Sequence, residues 1–129
     1  MSYLFGNFAG IGLVILCYLL ANPQFGSALA AKADIKFSKS LLEMLFNGII
    51  CGMLIHFAVK IKNEFTTIFA VMIFILIGAE HCIADAPYLV AAFNWMNALK
   101  LLMVIIGNSI GAIFIERSLS YEICRNNKK

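Results

Sequence analysis

Four stretches of this sequence run for about the thickness of a bilayer almost without charge, and they constrain the chain more than any motif in it. A membrane-crossing helix needs ~20 predominantly apolar residues. Tyr3 to Ala21 supplies 19 residues without one Asp, Glu, Lys, Arg or His. Further windows run from Leu41 to Val59, from Phe65 to Phe93 and from Trp95 to Ile115, the last with Lys100 as its single charge. The chain is 62% hydrophobic and 13% charged, about half the charge of an average soluble domain. So much uncovered apolar area drives association unless lipid or a large partner covers it. The expectation is an all-α integral membrane protein, a single transmembrane domain over residues 1–129 that passes the cell membrane several times, with 116–129 as a tail.

Met1-Ser2-Tyr3-Leu4 lacks the basic start of a cleaved signal peptide, so the first segment is read as retained. With four crossings, the positive-inside rule divides the basic residues. Lys60, Lys62, Arg117, Arg125, Lys128 and Lys129 fall on one side; Lys32, Lys36, Lys39 and Lys100 fall on the other. That bias predicts a cytoplasmic C-terminus. The net charge of +3 is spread over loops and tail without the basic run of a nucleic-acid groove, which argues against nucleic acid as a partner. The connection from Asn22 to Lys39 opens on an Asn-Pro turn signal and carries three lysines and Asp34, so it is read as lying outside the hydrocarbon. Cys17, Cys51 and Cys82 lie in apolar segments and Cys124 in the tail, without CxxC or zinc-type spacing, and read as packing residues.

Three segments carry glycines four apart: Gly6 and Gly10, Gly48 and Gly52, Gly107 and Gly111. That step lets a second helix backbone approach closely. Gly6-Asn7-Phe8-Ala9-Gly10 and Gly107-Asn108-Ser109-Ile110-Gly111 also share a Gly-Asn-x-x-Gly pattern, an echo of the kind that repeated-half transporters show. Asn97 to Ile106 leaves room for two to three helical turns before Gly107, whereas five residues precede Gly6. If the motifs are equivalent, the first repeat lacks its beginning and the chain is half a transporter.

The third segment is too long for a plain span and is interrupted by Gly78-Ala79-Glu80-His81-Cys82-Ile83-Ala84-Asp85-Ala86-Pro87, a break near 80–87. Pro87 removes a helix hydrogen bond and disfavours helix before it. At ~1.5 Å per residue, Glu80 and His81 lie roughly 23 Å along from Phe65, near the segment's middle. Ionisable groups at that depth face a protein interior or a wet cavity and mark a pathway. The same spacing also fits a short span followed by an external turn. His81 can exchange a proton near neutral pH; Glu80, its neighbour, points about 100° away on a helix and reads as a structural acceptor. His81 and Asp85, four apart, can share a face, but two ligands do not make a metal site. His56 reads as a helix-end or packed histidine with a satisfied hydrogen bond. No nucleophile, phosphate loop or complete metal set accompanies these groups, which argues against an intramembrane enzyme.

Lys36 followed by Glu43, Phe74 seven places before His81, the Glu80-His81-Cys82-Ile83-Ala84 core and the closing Ile106-Gly107-Asn108-Ser109-Ile110-Gly111 together resemble the formate/nitrite transporter family over nearly the whole chain. The resemblance implies an aquaporin-like inverted-repeat bundle of six helices per protomer, assembled as a pentamer with a pore in each protomer. This chain then supplies helices three to six, truncated at the N-terminus, and a separate chain is one source of helices one and two. By the same resemblance His81 is the central pore histidine, Lys36 the vestibule lysine and Phe74 an aromatic of the constriction, with Glu80 beside them and no cofactor. The implied cargo is a small monovalent anion of a weak acid, such as formate or nitrite. The chain departs from the family at Asp85 and Gly52, where Asn is usual, and at Lys100 and Met103, where Asn and Pro are frequent. A non-transporting membrane scaffold, or a decayed remnant of such a transporter, is the alternative expectation.

Overall fold

The computed structural model describes residues 2–126, with side chains for 6, 7 and 9–121. Lys128 and Lys129 of the basic tail lie outside the described residues, as does the Arg125 side chain. Among the described residues six helices follow one another: α1 (Ser2–Ala21), α2 (Phe25–Lys36), α3 (Leu41–Ile61), α4 (Glu64–Leu76), α5 (Cys82–Ala91) and α6 (Trp95–Asn126). Leu41–Ile61 and Trp95–Tyr121 are long and apolar enough to cross a membrane, and α4 and α5 are shorter apolar helices joined across a break.

Local chemistry sets most of the helix ends. Ser40 caps α3 in a full capping box, its hydroxyl accepting from Glu43 N–H while Glu43 Oε2 accepts from Ser40 N–H. Lys62 closes α3 in the left-handed conformation at φ 53°, and Asn63 caps α4 by accepting from Thr66 N–H. Asn22 Oδ1 accepts from Gln24 N–H at the Asn-Pro turn, after which the connection winds into α2. A turn signal marks only where a helix ends, so the sequence reading did not see this second helix. Likewise α6 runs past Ile115 to Asn126.

The pair of α3 and α6 is the spine of the fold. On α3, Met44, Gly48, Cys51, Gly52 and Ala58 are buried, a spacing that puts them on one helical face. A Cβ at Gly48 would come within 2.9 Å of the Val104 carbonyl oxygen, and one at Gly52 or Gly111 would run into the facing backbone. Without side chains in the seam, dispersion contact is made between backbones. Gly48 meets Val104 and Gly107, Gly52 meets Asn108, and His56 meets Glu116, so the two helices run parallel. That requires α4 and α5 together to carry the chain back between them. A small core of Ala33, Phe37, Met44 and Val104 ties α2 to this spine.

The outside is the reverse of a soluble surface. Leu20, Phe65, Leu76, Val90 and Trp95 are each at least 75% exposed, and the fully buried volume instead contains Glu80 and Asp85. Charge inside and hydrocarbon outside is the arrangement a lipid solvent selects.

Candidate functional site

The site is built at the break between α4 and α5. At the end of α4, Ala79 N–H donates to Phe74 O and Gly78 N–H to Ile75 O, the paired bonds of a Schellman motif. Gly78 sits at φ +64°, where a side chain is strained and glycine is not. The helix thus unwinds at Ile77, before Pro87 is reached, and Pro87 is accommodated inside α5. His81 restarts the helix as N-cap of α5, its Nδ1 accepting from Ile83 N–H at 3.3 Å. With Nδ1 an acceptor, the neutral imidazole carries its hydrogen on Nε2. The ring lies 6.4 Å from that of Phe74, centroid to centroid, tilted by 44°.

Asn108 of α6 holds this unwound turn. Its amide donates to Gly48 O at 2.8 Å and to Glu80 O at 2.9 Å, while Oδ1 accepts from Cys82 N–H at 3.1 Å. Glu80 N–H donates to Asn47 O. Through Glu80 O and Cys82 N–H one side chain therefore satisfies backbone groups that the missing helical turn leaves without partners, as a low-dielectric surrounding demands, and through Gly48 O it ties them to α3.

Two buried carboxylates meet two lysines above it. Lys36 Nζ stands 2.6 Å from Glu80 Oε2 and 2.9 Å from Asp85 Oδ1, and 5.3 Å from the centroid of the Tyr88 ring. Lys39 Nζ lies 2.6 Å from Glu80 Oε1 and donates to Gly78 O at 3.2 Å. Glu80 and Asp85 are 0% and 1% exposed, and buried carboxylates persist only when paired. Among the described residues Glu80 Oε2, 2.6 Å from Lys36 Nζ, and Asp85 Oδ2 have ion pairing on their carboxylates in place of a well-directed hydrogen bond of their own. Lys36 is raised above its ordinary value of 10.5: burial by itself lowers it, and the Glu80 and Asp85 carboxylates more than offset that.

Of the residues singled out in the sequence, His81, Glu80, Lys36, Phe74 and Asn108 converge at the break, with Gly107 in the seam beside them. Gly6 and Asn7 do not join them. They line an open groove of about 480 Å³ with Gly10, Ala84, Pro87 and Tyr88, and a Cβ at Gly6 or Gly10 would meet nothing within 4 Å among the described residues. Lys39 and Tyr88 were missed as site residues. The three-residue spacing of Lys36 and Lys39 was the available signal for the first. The Asp85 carboxylate turns to Lys36. Among the described residues no three His, Cys, Asp or Glu side chains are placed to hold a metal. His56 bonds Glu116 Oε2 at 2.8 Å at the far end of α3, beside Lys60, which is the satisfied helix-end histidine expected.

A paired-charge cluster at a broken helix in a helical membrane protein is the feature that marks a transport pathway. A family model described as formate/nitrite transporter matches residues 1–121, and the chain belongs to that family. It is a membrane protein of formate/nitrite transporter type. No curated protein and no solved structure matches it.

Proposed function

We propose that the chain is a channel or transporter subunit for small monovalent anions of weak acids, formate or nitrite among them, in which His81 relays a proton. The observation that carries this reading is the position of His81 as first cap of α5, with Nδ1 committed to Ile83 and the ring beside Phe74. Nε2 is then left to donate. A bare anion is costly to desolvate at an apolar constriction; proton donation by or through His81 lets the neutral acid pass Phe74.

In this reading the bundle is an inverted repeat, multi-pass with the C-terminus cytoplasmic, and assembles as a pentamer. The open groove of α1 receives helices one and two, from a longer polypeptide or a separate chain. The support is internal: Gly107-Asn108-x-x-Gly111 packs on α3, while Gly6-Asn7-x-x-Gly10, of the same pattern, faces open space. That open face equally favours a second reading, a non-transporting membrane scaffold.

Formate and nitrite uptake into proteoliposomes tests the proposal, with His81→Asn as control. We expect the variant to lose ~100-fold in flux, the lower range for a positioned proton donor. Equal flux in both sinks the histidine mechanism, and flux from neither above empty liposomes, with the further helices supplied, favours the scaffold.

A further inference from the structure

Lys39 stands on an unusually well-anchored corner. Phe37 beside it is 4% exposed, Lys100 of α6 donates to the Phe37 carbonyl, and the Ser40 capping box fixes the next turn. From there Nζ reaches the carbonyl of Gly78 and the carboxylate of Glu80, the two residues that flank Ala79 in the unwound turn. Lys39 therefore spans the break from its α4 side, as Lys36 spans it from the α5 side through Glu80 and Asp85. The charges balance, two ammonium groups against two carboxylates. Without Lys39, one ammonium serves both carboxylates and the Gly78 carbonyl loses its side-chain donor.

We propose that Lys39 is a positioning residue for the break: it pins Gly78 and Glu80 to the α2–α3 corner, and through them holds the turn that presents His81. The inference deepens the transport reading and rests on it only for what His81 does. The placement itself is open to a test that needs no transport, because Cys82, half-buried next to His81, has its backbone N–H bonded to Asn108 in the same turn.

In a background of Cys17→Ser, Cys51→Ala and Cys124→Ser, the rate at which N-ethylmaleimide labels Cys82 reports opening of the break in the detergent-solubilised full chain. We expect Lys39→Met to speed labelling about tenfold, the effect of one lost charge-assisted hydrogen bond on a local opening. Lys39→Arg returns the rate to within about twofold, since the guanidinium supplies the same donors. The pair Lys39→Met with Glu80→Gln keeps the charge balanced and stays faster than the parent, which separates lost anchoring from an altered field at the thiol. It also serves where Lys39→Met alone loses its helical circular dichroism. A parent-like rate in Lys39→Met or in the charge-balanced pair, or Lys39→Arg as fast as Lys39→Met, overturns the proposal. If His81→Asn leaves flux intact, the proton relay falls while labelling still judges Lys39. If both hold, Lys39→Met also lowers flux and Lys39→Arg restores it.

Discussion

At the residue scale, the break depends on three residues that do what an unbroken helix does for itself. Gly78 supplies the left-handed turn, Asn108 satisfies the backbone groups exposed by it, and Lys36 neutralises what the turn buries. Gly78→Ala should destabilise the chain by about 1 to 2 kcal/mol, the left-handed penalty of a Cβ, measured as a lower midpoint in denaturation of the detergent-solubilised protein. Lys36→Met should cost ~3 to 5 kcal/mol at neutral pH, because it leaves the buried Asp85 carboxylate without its ion partner and Glu80 with Lys39 alone. Its pH dependence has a definite sign. The folded-state value of Lys36 lies above 10.5, so its contribution is whole below 10.5 and is lost as pH rises through the raised value. The stability gap between parent and Lys36→Met should therefore hold from pH 7 to 10 and narrow only in stronger alkali.

At the element scale, the two Gly-Asn-x-x-Gly steps give opposite predictions from the same pattern. Gly111 faces the Ile49 carbonyl and the backbone of Met53 across the α3–α6 seam. Gly111→Leu should push the helices apart and cost ~3 kcal/mol or more, the upper range for overpacking, seen as early loss of helical circular dichroism on denaturation. Gly10 faces nothing within 4 Å, so Gly10→Ala should stabilise the isolated chain by about 0.5 to 1 kcal/mol through helix propensity. The sequence shows both motifs equally well. It cannot show which is filled, because a glycine pair records that a close approach is permitted and leaves the partner unstated.

At the scale of the molecule, the fold is a parallel helix pair with a broken helix returning between its members, closed at one end by Lys36, Lys39 and Lys100 and at the other by His56, Lys60 and Glu116. The two ends divide the lysines of these elements as the sequence bias does. The groove on α1 stands open among the described residues. If further helices fill it, Gly10→Leu should abolish their association in a co-purification assay while the substituted chain alone stays folded. Association unaffected by Gly10→Leu would place them elsewhere.

The sequence by itself determined the solvent and the inventory: apolar runs of bilayer length, a break that had to lie near Glu80 and His81, and the family those residues resemble. Composition and spacing suffice there because the cost of exposing hydrocarbon to water, or charge to lipid, is a property of the residues alone. Tertiary structure decided how the charges are shared. Glu80 and Asp85 are five apart in sequence, while Lys36 and Lys39 come from another helix corner 41 to 49 residues away. Which ammonium takes which carboxylate depends on the α2–α3 corner being anchored by Phe37, Ser40 and Lys100. An ion pair buried this deeply is set by geometry on the ångström scale, and only the packed helices supply that geometry.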